Sequence, residues 1–212
     1  ETLAQWLHRQ EKPLNLDEIL PILQQTALAL NAMHRLEMLH QDIRPKNIMV
    51  INAENAMKIK LIDYGSTAVR GLVEINPKNA NRALGTLAFM APEYFIDHSP
   101  SVHSDQFSLA VMAYYLFTKQ LPYGTDLARC NSLKQMKKVQ YHSIRKYRPD
   151  LPIWLDKILG QALSIEPIHR FEALSELIHN LMHPSKELLN SKPPAIIERD
   201  PLRFWQMSWF VL

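Results

Sequence analysis

Three polar side chains bracket one short alternating segment. His40-Gln41-Asp42-Ile43-Arg44-Pro45-Lys46-Asn47 precedes it, and Leu61-Ile62-Asp63-Tyr64-Gly65 follows it. Between them Ile48 and Val50 alternate with polar or smaller neighbours. Asn-Ala-Glu-Asn then turns the chain, and Met57, Ile59 and Leu61 alternate again, the pattern of a short hairpin. The ends of a hairpin lie close in space, so Asp42, Asn47 and Asp63 are placed to converge on one point. Carboxylate and amide oxygens suit a hard divalent ion such as Mg²⁺, which is typically held by one or two carboxylates together with substrate phosphates. A carboxylate left free of the ion can orient a hydroxyl nucleophile. That is a layout for phosphoryl transfer.

The elements that must hold these groups are mostly helical. The first ten residues, ETLAQWLHRQ, read as helix, which implies a chain that starts partway into a fold. Leu16, Ile19, Leu20, Leu23, Ala27, Leu30 and His34 recur at helical spacing, and Ile22, Ala29 and Met33 add a second stripe, so this helix is buried on more than one side. Pro21 is tolerable there only near the first turn. Residues 64–90 show no steady period and read as a long loop, functional or mobile. Asp105 to Phe117 is apolar nearly all round and too short for a membrane span, so it is expected as a central core helix. Further helices are expected near 131–139 and 152–163. A last one carries Leu174, Leu177, Ile178 and Leu181. The proline-rich stretch 184–201 reads as a linker. The domain is then mainly α over about 1–183, with a tail at 202–212.

Composition narrows the functional classes. The chain has 212 residues, 47% hydrophobic and 21% charged, a globular balance. A single cysteine, Cys130, excludes an internal disulfide framework and a cysteine zinc cage. No glycine-rich phosphate motif occurs. A formal charge of +3 is too small to argue for nucleic acid as a partner. Between Arg129 and Arg148 the stretch contains Lys134, Lys137, Lys138, Arg145 and Lys146 but no Asp or Glu. It reads as a solvated basic face, or as a face for an anionic membrane surface. His179 and His183 have i, i+4 spacing without a third ligand and read as a solvent-facing pair. Arg203-Phe-Trp-Gln-Met-Ser-Trp-Phe-Val-Leu212 is too short to span a bilayer by itself. It reads as an apolar juxtamembrane or packing tail, or as the start of a span with Trp205 and Trp209 at interface depth.

With Gly85-Thr86-Leu87-Ala88-Phe89-Met90-Ala91-Pro92-Glu93, the two hairpin segments resemble, in order, the catalytic loop, the D-F-G motif and the A-P-E motif of protein kinases. Downstream, the segment around Asp105 resembles the start of that family's central helix. Leu121-Pro-Tyr-Gly124 resembles the segment after it, and Glu166-Pro-Ile-His-Arg170 the late arginine motif. The resemblance covers about 1–183 and implies the C-terminal lobe of a serine/threonine kinase, with the N-terminal lobe missing and the small hairpin at the active site. It implies ATP and Mg²⁺ as cofactors and a protein substrate. Asp42 would accept the proton of the substrate hydroxyl, Asn47 and Asp63 would hold Mg²⁺ on the nucleotide phosphates, and Arg44 would contact the γ-phosphate. Thr86 would help fix the peptide site near Asp42. His40, Gly65, Glu93, Asp105 and Arg170 would be structural, with Glu93 and Arg170 forming a buried ion pair and Asp105 anchoring the catalytic loop.

Two departures qualify the resemblance. Gln41 replaces the arginine that meets a phosphorylated activation loop, so activity without that phosphorylation is expected. The glycine-rich loop, ATP-pairing lysine and its glutamate, which belong to the N-terminal lobe, do not occur, so this chain alone is expected to bind ATP poorly and catalyse little. A scaffold without turnover is the competing class. A small-molecule kinase is disfavoured by Gly85-Thr86 and Glu93, which resemble a peptide-substrate platform. The sequence style is similar to bacterial kinases fused to a protein phosphatase domain and anchored by a C-terminal helix. That similarity implies a place on the cytoplasmic side of a membrane.

Overall fold

The computed structural model describes residues 1–53, 56–63, 68–69, 87–96 and 99–190. Helix α1, Leu3–His8, is closed at its start by Thr2, whose hydroxyl accepts from the Gln5 amide while the Gln5 side chain accepts from the Thr2 amide. Helix α2, Leu16–Arg35, begins on the same device built from Asn15 and Glu18. Asp17 and Glu18 lie in its first turn and His34 and Arg35 in its last, matching the helix dipole at both ends. Pro21 lies in the second turn and withholds a donor from the carbonyl of Asp17, which belongs to an exposed residue and can bond to water.

The hairpin is present. Strand β2, Ile48–Ala53, pairs antiparallel with β3, Ala56–Leu61, with Ile48 opposite Leu61 and Val50 opposite Ile59. A second pair joins β1, Met38–Leu39, to β4, Ala68–Val69. Two residues per strand are too few to show a period, and this pair was not anticipated from sequence. Thr2 forms an isolated bridge to Met49, and the Val50 amide donates to the Glu1 carbonyl at 2.8 Å, so the start of the chain covers the outer edge of β2.

Helix α3, Val102–Thr118, is the central element. Thirteen of its residues are buried, including Phe107, Leu109, Met112, Tyr114 and Phe117. It packs against α2, against α5, Ile153–Ala162, and against α6, Leu174–Met182. Its buried Gln106 is satisfied at both ends of the amide: the side chain donates to the Phe171 carbonyl at 3.1 Å and accepts from the Phe171 amide at 3.2 Å. The result is a mainly helical lobe with one small hairpin at its edge.

One expectation needs correction, and one stretch gains a detail. The helix expected near 131–139 is a single turn, α4, Leu133–Met136. Only Met136 is buried there, and Lys134, Lys137 and Lys138 repel at helical spacing, so neither an apolar stripe nor charge pairing sustains a longer helix. The stretch read as linker from 184 holds another turn, α7, Lys186–Leu189, capped by Ser185 and packed on α5. Residues 191–212, including the apolar tail, lie outside the described residues.

Candidate active site

The loop that carries Asp42 hangs from the central helix by its backbone. The Asp105 carboxylate accepts from the His40 amide through Oδ2 and from the Gln41 amide through Oδ1, both at 2.9 Å. A third donor, Nε2 of His34 at the end of α2, reaches Oδ2 at 2.9 Å. Asp105 is fully buried, so a charge with three donors spans α2, α3 and the loop at their junction. Gln41 adopts a left-handed conformation, φ 65°, uncommon outside glycine, and its bonded amide holds it there.

His40 braces the loop from inside. Its ring is buried; Nδ1 accepts from the Asp42 amide at 3.4 Å and Nε2 donates to the Ile62 carbonyl at 3.3 Å. That pair of roles fits the neutral imidazole with its proton on Nε2. Burial pushes the ring below its ordinary pKa of 6.5, outweighing the upward pull of the Asp105 carboxylate, the Ile62 carbonyl and the Asp42 and Asp63 carboxylates. Both acidic groups are therefore near enough to act on one imidazole.

Asp42 and Asn47 are in direct contact. The Asn47 amide nitrogen donates to the Asp42 side chain at 2.8 Å and to the Asp42 carbonyl at 2.9 Å. Both donor contacts use the nitrogen, so the amide oxygen is the atom left to meet a cation. Asp63 reaches the same place through its neighbour: the Ile62 amide donates to the Asn47 carbonyl at 2.9 Å, continuing the β2–β3 ladder one step beyond Leu61. Ile62 is thus held by its N–H from Asn47 and by its C=O from His40. Asp63 follows it in a left-handed conformation, φ 66°, and is exposed. Arg44 Nε lies 3.9 Å from Asp42 Oδ2, both side chains being mostly buried. The oxygens of Asn47 and Asp63 are the hard donor set that suits Mg²⁺, beside a separate carboxylate on Asp42.

Away from this point, Glu93 and Arg170 form a bidentate pair at 2.9 and 2.8 Å, with side-chain exposures of 3% and 0%. The other three guanidinium donors go to the carbonyls of Ser164, His103 and Ile165, so all five are used. The guanidinium also lies over the Phe107 ring, 4.8 Å from its centroid. Ser104 donates to Glu93 at 2.6 Å. Burial raises the Glu93 pKa, but the Arg170 bonds and charge and the Ser104 hydroxyl pull it further down, leaving it below its ordinary value.

Of the residues singled out from sequence, the structure thus groups His40, Asp42, Arg44, Asn47, Asp63 and Asp105 at one end of the hairpin, and pairs Glu93 with Arg170 in the interior. Thr86 and Gly65 lie outside the described residues. In sequence His34 falls within an apolar helical stripe. A polar residue in a buried register is the signal that marks it. His179 and His183 are exposed, with ring centroids 5.2 Å apart, and no group of three metal-ligating side chains occurs among the described residues.

Residues 1–184 match the protein kinase domain family. Serine/threonine-protein kinase PrkC of Bacillus subtilis is 26% identical over 165 residues, covering 78% of this chain and 24% of its own length. Serine/threonine-protein kinase pkn3 of Myxococcus xanthus is 30% identical over 175 residues, covering 80% of this chain and 32% of its own length. Among solved structures, the PknI kinase domain of Mycobacterium tuberculosis has a TM-score of 0.64 at 24% identity, covering 87% of this chain and 62% of that one. The chain spans about a quarter to a third of the length of these two curated relatives.

Proposed function

The chain belongs to the protein kinase domain family, and from that premise we propose that it is the C-terminal lobe of a serine/threonine kinase that transfers the γ-phosphoryl group of ATP to a protein hydroxyl. The observation that supports this reading is the clamp on Ile62, the residue before Asp63, by the His40 ring and the Asn47 carbonyl, Asn47 being itself bonded to Asp42. Asn47 and Asp63 would hold Mg²⁺, which when bound neutralises charge on the nucleotide phosphates. Asp42 is kept apart for the acceptor. It takes the hydroxyl proton as the acceptor oxygen bonds to the γ-phosphorus and the bond to the β-phosphate oxygen breaks, releasing ADP. Arg44 adds a planar cation beside Asp42, placed for the γ-phosphate. Thr86 is assigned to the peptide site near Asp42.

The test is transfer of labelled γ-phosphate from ATP by the full-length protein, to itself and to serine- and threonine-bearing peptides. Asp42→Asn is expected to lower transfer by about 10²–10⁴-fold while nucleotide binding persists. Wild-type protein that binds nucleotide without any transfer would overturn the reading in favour of a scaffold.

The buried, uncharged Gln41 offers no cation to a phosphorylated loop. Transfer is therefore proposed to proceed without loop phosphorylation. Loss of turnover on replacing Ser66 and Thr67 by alanine would refute this. A location on the cytoplasmic face of a membrane, anchored through 202–212 and in one polypeptide with a phosphatase domain, is also proposed. Its support is the apolar, tryptophan-bearing composition of that tail. Among the described residues no helix is long and apolar enough to cross a membrane. Recovery of the full-length protein in the soluble fraction of lysed cells would overturn the anchoring.

A further inference from the structure

The outer edge of β3 has no neighbouring strand among the described residues. The backbones of Met57 and Ile59 point outward from the hairpin, because the residues between them face the β2 ladder. One side chain on α2 fills both positions. Gln25 Nε2 donates to the Met57 carbonyl at 3.1 Å, and Gln25 Oε1 accepts from the Ile59 amide at 3.1 Å. A primary amide offers one donor and one acceptor in a plane, as a backbone peptide group does, so Gln25 bonds to β3 as a third strand would. A further bond from Nε2 to the Pro21 carbonyl at 3.2 Å fixes the side chain on its own helix. The side chains of Met57 and Ile59 pack against the core, so this contact sets both the height and the register of β3 on α2.

The consequence lies at the other end of the strand. From Ile59 the chain runs through Leu61, opposite Ile48, to Ile62, opposite Asn47, and then to Asp63. Asp42 and Asn47 are tied to α3 through Asp105 and the loop backbone, whereas β3 is tied to α2 by Gln25. Of the two oxygens proposed to share one cation, that of Asp63 therefore has a second mount, on α2 through Gln25, besides the ladder bond from Ile62 to Asn47. We propose that Gln25 is a positioning residue for the metal–nucleotide site, holding β3 at the height at which the Asp63 carboxylate and the Asn47 amide oxygen meet one divalent ion. The proposal rests on the kinase reading above.

The experiment uses the full-length protein and two readouts. One is hydrogen exchange at the Ile59 amide. The other is binding of a fluorescent ATP analogue, titrated with Mg²⁺ and repeated in EDTA. Gln25→Leu keeps the side chain's bulk and removes both strand-like bonds. It is expected to speed exchange at Ile59 by about tenfold, the order set by loss of one hydrogen bond. It is also expected to raise half-saturating Mg²⁺ by about three- to tenfold while binding in EDTA is unmoved. Gln25→Glu retains the acceptor for Ile59 and loses the donor to Met57. It is expected to keep Ile59 protected and still raise half-saturating Mg²⁺, and it carries the test if Gln25→Leu fails to fold. An unchanged Mg²⁺ midpoint in a folded variant, whatever the fall in melting temperature, overturns the positioning role. Wild-type protein whose nucleotide binding ignores Mg²⁺ overturns the kinase reading, and this proposal with it.

Discussion

Arg170 shows how much one side chain can carry. Its five donors are all bonded, two to Glu93 and three to backbone carbonyls, and Phe107 covers its face. Arg170→Ala strands the Glu93 charge in the interior and is expected to cost about 3–5 kcal/mol, a large share of a typical domain's roughly 5–15. A chemical denaturation curve matching wild type would refute this. Arg170→Lys keeps the charge but loses the fork and is expected to recover little of that loss. Acid should act on the same pair. The Glu93 carboxyl is held below its ordinary value of 4.5. Its stabilisation is therefore complete above about 4.5 and is lost as pH falls through the lowered value. The stability gap between wild type and Glu93→Gln should shrink over that acidic window. A gap constant down to pH 3 (about one unit below the ordinary range) would show that the pair is not the titrating element.

At the scale of elements, Asp105 joins the loop that carries Asp42, α2 and α3. Asp105→Asn retains the shape but offers one acceptor oxygen where two are needed, so the His40 or the Gln41 amide must face a nitrogen. The expected cost is about 1–3 kcal/mol, with loss of hydrogen-exchange protection at those two amides before any change at Ile59. Protection unchanged at both would refute the anchoring role. What was legible beforehand follows the same scale. The hairpin could be read because Ile48, Val50, Met57, Ile59 and Leu61 alternate, and α3 because its apolar run is unbroken. The turn at 133–136 was read too long because Lys134, Lys137 and Lys138 occupy helical spacing without an apolar stripe to bury. The β1–β4 pair is shorter than any period. Gln25 and His34 were hidden for a different reason: both sit in register on a helix read for its apolar stripes, and their roles depend on groups 34 and 71 residues away.

Across the whole molecule, the basic stretch divides into structural and solvated charges. Arg145 donates to the carbonyls of Leu151 and Pro149, and Arg148 to those of Leu14 and Phe117 while pairing with Asp150. Lys137 pairs with Glu166 at 2.8 Å, and Arg129 lies 3.7 Å from Asp126. Lys134, Lys138 and Lys146 are exposed and make no ion pair among the described residues. Reversing those three charges together is expected to shift stability by no more than roughly 1 kcal/mol. Arg148→Ala, which strands two carbonyls, is expected to cost about 1–3. Equal losses in the two proteins would show that the division is wrong. The triple variant then isolates the membrane question, because any loss of binding to anionic vesicles cannot be blamed on unfolding.

Helix α3 is gripped at both ends. Asp105, near its start, suspends the loop that carries Asp42. At its far end Arg148 binds the Phe117 carbonyl together with that of Leu14, and Lys119 reaches the carbonyls of Leu7 and Gln10. Seventeen residues of helix make a beam about 25 Å long. The bonds from Lys119 and those from Asp105 thus give α1 and the loop that carries Asp42 one common mount, as an axle has two bearings.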